Sequence, residues 1–177
     1  MISVAVIGGG ASGMAFAVAL KQKRPDIEVA VFEKNPKVLK KMLVTGNGRC
    51  NILNFDAVAE NYFEACEFVR PAVEKYAPKK TEAIFRDMGL LLMSEQEGRA
   101  YPISQTAASV VCVLSSAAER AGVKVFTDTP VKSIKKSQGG FVINNDKSFD
   151  FAVIACGGAA APKQGTDGSC LKHSEYV

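Results

Sequence analysis

Apolar positions along this chain fall into two patterns. Ile2 to Ile7, Val29 to Phe32 and Phe151 to Cys156 are short, rich in β-branched residues and almost continuously apolar, which suits strands covered on both faces, as in a parallel sheet. Between such runs the apolar residues recur at helical spacing. Ala11 to Lys23 supplies Ala, Met, Phe, Val and Leu before Pro25 and Asp26 close the segment. Thr106 to Ala121 carries Ala107, Val110, Val111, Leu114, Ala118 and Ala121, and Gly122 ends it. Val123 to Thr127 then reads as a strand directly after a helix, a second crossover back to the sheet. The alternation predicts an α/β fold with a parallel sheet.

Two stretches depart from that alternation. From about 56 to 122 the chain makes a helical excursion. Residues 56 to 76 bear an apolar stripe containing Phe63, Cys66, Phe68, Val69 and Val73, broken near Pro71, which predicts one or two helices. Lys79 to Met88 gives a shorter helix with Gly89 as its C′ residue. Leu90 to Met93, a turn at Glu97-Gly98 and Arg99 to Ile103 form a hairpin-like unit. From about 131 to 149, three short runs, Val131 to Lys136, Phe141 to Asn145 and Ser148 to Phe151, alternate with turns at Gln138 to Gly140 and around Asp146-Lys147. That is an antiparallel β-meander crossing over to the last apolar strand. The whole, residues 1–177, reads as one domain.

Composition narrows the class. With 47% hydrophobic and 23% charged residues over 177 positions, the chain is an ordinary globular domain able to bury a core. Lys and Arg number 22 against 18 Asp and Glu, a formal charge of +4, and they are spread along the chain apart from small groups such as Lys37, Lys40 and Lys41. No nucleic-acid-binding stripe results. The apolar N-terminus lacks a basic leading region and is interrupted by glycines, which argues against an export signal. No run approaches the roughly 20 apolar residues of a membrane helix. Five cysteines, Cys50, Cys66, Cys112, Cys156 and Cys170, are odd in number and contain no C-x-x-C pair. That argues against a disulfide framework, a zinc site or a dithiol centre, and a reducing cytoplasm is expected. Cys50 and Cys112 are expected to be packing residues.

The first strand ends in Gly8-Gly9-Gly10-Ala11-Ser12-Gly13, in which Gly8, Gly10 and Gly13 fit G-x-G-x-x-G. The three glycines serve different ends, namely the sharp turn, backbone approach to a pyrophosphate, and close packing of helix on strand. Ala11, Ser12 and Gly13 open the helix, whose orphan N–H groups and positive dipole end make an anion site without a cationic side chain. Glu33, at the end of the next strand, comes 20 residues after Gly13, where an acid accepts hydrogen bonds from a ribose hydroxyl. Strand, turn, helix and acid together predict a Rossmann-like dinucleotide site. Ala155 to Gly158 end another strand in glycines, so they are expected to face the same crevice. Lys37 to Asn54 is neither helix nor strand; it is rich in glycine and hydrogen-bonding groups at Thr45, Gly46, Asn47, Gly48, Arg49 and Asn51, and such loops often line ligands.

Four motifs in this order resemble the FAD-dependent oxidoreductases of two-dinucleotide-binding type, and more narrowly the BaiN-like or aminoacetone-oxidase-like flavoproteins. They are Gly8 to Gly13 with Glu33, Lys41 to Asn51 with its Thr45-Gly46-Asn47-Gly48-Arg49-Cys50-Asn51 string, Glu97 to Ser104, and Ala155-Cys156-Gly157-Gly158. The likeness runs from residue 1 to about 168. It implies a Rossmann-like FAD-binding domain with FAD as cofactor, the pyrophosphate on Gly8, Gly10, Ala11, Ser12 and Gly13, and the adenosine ribose on Glu33. It also implies that Lys34, Lys41, Thr45, Gly46, Arg49, Cys50 and Asn51 serve the cofactor, that Val131 gives backbone contacts to adenine, and that Ala155, Cys156 and Gly157 pack against it. Leu39, Lys40, Cys156 and Cys170 stand where the family usually has glycine, arginine, threonine and glycine. Members of the family are longer and continue into a substrate-side segment.

A flavin carries its own redox chemistry, so no general acid or base is required of the chain, and none stands out. Arg49 is the best functional side chain, a rigid fork for phosphate or carboxylate, with capping of a loop carbonyl as its structural alternative. Lys40 and Lys41 are either phosphate ligands or solvated. His173, the only histidine, reads as a tail residue. The function expected is FAD-dependent oxidation or reduction of a small organic substrate, with NAD(P)H as electron donor. Against it stand an FAD-binding module or fragment without turnover, an NAD-dependent dehydrogenase, and flavin-dependent RNA modification, the last disfavoured by the lack of a basic face.

Overall fold

The computed structural model describes residues 1–159 together with 162 and 168, and of residues 64 and 65 the backbone alone. Gly165 to Asp167, Cys170 and the tail with His173 lie outside the described residues. The chain starts with β1 (Ser3–Ile7), α1 (Ala11–Lys23) and β2 (Glu28–Phe32). It continues through β3 (Leu53–Asn54), α2 (Cys66–Lys75), α3 (Pro78–Asp87), β4 (Leu92–Ser94), β5 (Arg99–Pro102) and α4 (Ala107–Arg120). It closes with β6 (Lys124–Phe126), β7 (Ile134–Ser137), β8 (Gly140–Ile143), β9 (Lys147–Phe149) and β10 (Phe151–Ile154). Two compact units result, Met1–Met42 with Leu114–Val177, and Leu43–Val113.

The first unit holds a parallel sheet in the order β10-β1-β2-β6. Alternation along its strands sends side chains to opposite faces. Ala5, Ile7, Ala30 and Phe32 go to one face and join Ile134, Ile143 and Phe149 of the antiparallel meander β7-β8-β9 in one core cluster. Phe32 stacks on Phe126 at 5.4 Å and meets Phe149 edge-on at 5.8 Å, and the Lys147 ammonium lies 4.1 Å from the Phe126 ring centre. Val4, Val6, Val29 and Val31 go to the other face, which is equally buried and carries α1 through Met14, Ala17 and Val18. Burial on both faces is why β1 and β2 are continuously apolar rather than alternating. β10, expected to be covered likewise, lies at the edge of the sheet and leaves Phe151 and Ile154 exposed.

At the start of β1 and β10 a polar clamp replaces apolar packing. Asp150 Oδ2 accepts from the Ser3 N–H at 2.7 Å and the Ser3 hydroxyl at 2.8 Å. These bonds, the hydroxyl's first, hold the Asp150 carboxyl below the usual carboxylate range. The meander begins later than its apolar pattern suggests. Lys132 and Ser133 donate their N–H groups to the Asn144 side chain at 2.7 and 3.4 Å, so the ladder starts at Ile134 and Val131 lies outside it, half-buried against the core.

The second unit is built on an antiparallel sheet in the order β3-β5-β4, with 3-10 turns at Ala59–Ala65 and Gln96–Gly98. Pro71 lies inside α2 rather than ending it. It removes one backbone bond, while the neighbouring Arg70 pairs with Glu60 at 2.9 Å, Glu67 at 3.1 Å and Glu74 at 3.9 Å, spanning the turns before and after it. The apolar stripe of residues 56 to 76 is open to solvent at its aromatic positions: Phe63 and Phe68 are each 88% exposed. Cys112 is exposed as well, against expectation. Buried Ala107, Val110 and Leu114 define one face of α4, the one their helical spacing marks in the sequence, and position 112 lies half a turn away from Val110. Gly89 and Gly122 follow their helices with φ of 98° and 74°, the left-handed closure predicted for them. Among the described residues no helix is long and apolar enough to cross a membrane.

Candidate functional site

The glycine turn is anchored to both neighbours of β1. Gly8 donates its N–H to the Phe32 carbonyl at 2.8 Å, and Ala155 donates to the Ile7 carbonyl at 2.8 Å, which extends the two ladders past the strand ends. Gly8 has φ +109°, and a Cβ there would come within 2.6 Å of the Ala155 carbonyl oxygen. A Cβ on Gly13 would collide with the Gly8 carbonyl oxygen and stand 3.3 Å from the Ala155 side chain. Both positions are therefore closed to any side chain by backbone. Gly10 differs: it sits at φ −77°, ψ −172° as the helix N-cap, and a Cβ there would meet nothing within 4 Å.

Met14 makes the first helical bond of α1, to the Gly10 carbonyl at 3.0 Å, so the N–H groups of Ala11, Ser12 and Gly13 precede the helical ladder. No side chain caps them and no acid occupies the first turn. Converging donors, a positive dipole end, open space over Gly10 and a first helical turn without an acid fit the pyrophosphate of a dinucleotide.

Glu33 follows β2 and is buried, with 8% of its surface exposed. Its carboxylate accepts from the Gly9 N–H at 2.8 Å, the Asn35 N–H at 2.8 Å and the Asn35 amide Nδ2 at 2.6 Å. The acid predicted from spacing thus also braces the turn. Gly9, given no part by its sequence context, is crowded by side chains: a Cβ there would lie 2.6 Å from Val38 and 3.1 Å from Glu33. The one local signal for Asn35 in the sequence is the tendency of Asn to bond backbone and side chains two residues away.

Of the other predicted residues in this unit, Ala155 lies against Gly8 and Gly13, Gly157 is exposed at φ +72°, and Cys156 and Lys34 are half-buried. Val131 is half-buried beside the aromatic core, and Lys41 is exposed.

Thr45, Gly46, Arg49, Cys50 and Asn51 belong to the second unit. The Lys40–Gly48 segment winds in 3-10 turns interrupted where Thr45 is extended and Gly46 and Asn47 both have φ +54°. Cys50, at φ +62° and buried, donates its N–H to the Thr45 carbonyl at 3.1 Å, and Asn51 donates its amide to the Ala100 carbonyl at 3.1 Å. The Arg49 guanidinium lies 4.0 Å from the Tyr101 ring centre, donates from Nε to Gln105 at 2.7 Å and pairs through Nη2 with Glu95. Its fork thus meets a carboxylate of its own chain. Among the described residues no group of three or more side chains is arranged to hold a metal ion.

Over residues 2–176 the chain matches the HI0933-like protein Rossmann domain. It is 38% identical over 173 residues to the 3-dehydro-bile acid delta(4,6)-reductase of Clostridium scindens, covering 96% of this chain and 42% of that protein. Ribosomal RNA dihydrouridine synthase of Haemophilus influenzae is 24% identical over 174 residues, 90% of this chain and 41% of that protein. Glycine oxidase from Bacillus cereus has a similar fold, with a TM-score of 0.55 at 15% identity over 92% of this chain and 57% of that one. The chain spans less than half the length of the two curated relatives.

Proposed function

We propose, from the premise that this chain belongs to the HI0933-like Rossmann domain family of BaiN-like FAD-dependent oxidoreductases, that it serves FAD-dependent reduction or oxidation of a small organic substrate. The observation that carries the reading is the glycine turn, where Gly8 and Gly13 are closed by backbone while Gly10 faces open space at an uncapped helix start. FAD is the cofactor of the family. Bound, it supplies the hydride or electron transfer.

The residues of the chain bind and orient. The N–H groups of Ala11, Ser12 and Gly13 would take the pyrophosphate and Glu33 the adenosine ribose, with Lys34 and Lys41 adding positive charge. Val131 would present its backbone to adenine, and Ala155, Cys156 and Gly157 would wall the cofactor. Thr45, Gly46, Arg49, Cys50 and Asn51 are assigned to the cofactor on their family motif alone. The choice of a small organic substrate over RNA follows the 38% relative, named a reductase of a bile acid, over the 24% one, named for ribosomal RNA. NAD(P)H is proposed as the electron donor. We read residues 1–177 as a single FAD-binding domain, with a helical excursion from about 56 to 122 and a β-meander from about 131 to 149. A reducing cytoplasm is the proposed compartment, consistent with free thiols at Cys50, Cys66 and Cys112.

The test is the visible absorption spectrum of the purified protein after incubation with excess FAD and desalting. Retention of about one flavin per chain is the expected result; a colourless protein sinks the reading. A second reading, FAD binding without turnover by these residues alone, is favoured by the chain's spanning 42% of the reductase. Substrate-dependent bleaching of the bound flavin would exclude it.

A further inference from the structure

The Glu33 carboxylate has about four acceptor positions, and three are already in use within the first unit. Oε1 receives both the backbone N–H and the side-chain Nδ2 of Asn35, at 2.8 and 2.6 Å, and Oε2 receives the Gly9 N–H at 2.8 Å. A carboxylate only accepts, so the amide nitrogen of Asn35, not its oxygen, must face it. Asn35 is itself tied down. Its carbonyl accepts the Asp128 N–H at 3.1 Å, and the Glu33 carbonyl accepts the Thr129 N–H at 2.8 Å, which continues the link from β2 toward the strand beside it.

We infer that Asn35 is a positioning residue for cofactor recognition: it locks the Glu33 carboxylate so that the one remaining acceptor position, on Oε2 beside the glycine turn, meets a ribose hydroxyl. The inference rests on the FAD reading above and adds to it a residue that acts through Glu33 rather than on the ligand. A free glutamate side chain has rotamers to lose when it binds, and a pinned one has already lost them in folding. The pinned carboxylate also stands where a 2′-phosphate would be repelled, so the same brace favours a dinucleotide with a free 2′-OH.

The test titrates FAD and its 2′-deoxyadenosine analogue into the wild type and the Asn35→Ala variant, following flavin fluorescence. Wild type binds FAD more tightly than the analogue. Asn35→Ala, which keeps the backbone donor and removes the amide, weakens FAD by about tenfold and leaves the analogue within about twofold. Asn35→Ser restores part of the preference by returning a short side-chain donor. Circular dichroism melts show whether each variant folds. If the alanine variant does not, the near-isosteric Asn35→Leu, which removes the amide donor without adding charge, carries the comparison and shows the same selective loss. Equal weakening of both ligands, or unchanged FAD affinity, overturns the inference while a wild-type preference for FAD leaves the dinucleotide reading standing. A wild type that binds neither flavin overturns both.

Discussion

Gly10 and Gly13 belong to one sequence motif, yet one occupies open space and the other is closed by the Gly8 carbonyl, so substitution separates binding from folding. Gly10→Ala keeps an allowed N-cap backbone and is expected to cost less than about 1 kcal/mol in a denaturant melt. It places a methyl where the pyrophosphate approaches, so FAD affinity by titration falls on the order of tenfold or more. Gly13→Ala is expected to cost about 2 kcal/mol or more in the same melt, because the collision is with backbone that cannot rotate away. Asp150 gives a second prediction. Its carboxyl is held below the usual range by Ser3, so the clamp contributes fully above the ordinary carboxylate pKa and is lost as pH falls through the lowered value. Stability against pH should therefore drop more steeply at acid pH in the wild type than in Asp150→Asn, as read by urea melts at a series of pH values; equal slopes would dismiss the clamp.

Among elements, the sheet of the first unit was legible in the sequence because its signals are local: β-branched apolar runs, glycines at the turn, helical spacing and an acid at a fixed distance. Gly8, Gly13, Glu33 and the closures at Gly89 and Gly122 belong to that class. What escaped is what depends on partners far along the chain. Glu95 lies 46 residues from Arg49 and leaves no periodic trace, so the fork's partner could not be read, and Val131 left its strand because the Asn144 side chain intercepted the backbone donors beside it. Cys112 was misplaced for the complementary reason, that apolar character alone does not say which side of a helix is covered. The Arg49 cluster yields the prediction at this scale. Arg49→Lys keeps the charge but loses the fork to Glu95 and Gln105 and the stacking on Tyr101, and is expected to destabilise the protein by about 1 kcal/mol in a denaturant melt. A variant as stable as wild type would show that the cluster is held by its backbone instead.

For the whole molecule, ligand linkage gives the broadest prediction. A cofactor that binds only the folded chain stabilises it by about 2.7 kcal/mol at a hundredfold excess over Kd, so FAD should raise Tm by several degrees and NAD should not. The reverse result would move the chain to a nicotinamide dehydrogenase. The contrast between its glycines has a further consequence for how such chains drift. A lineage that abandoned its nucleotide would still need Gly8 and Gly13, since strand, turn and helix meet through them, and would be released only at Gly10. Two of the three glycines in the fingerprint thus record ancestry of fold, and a comparison among descendants that seeks the loss of a cofactor should look first at the middle one.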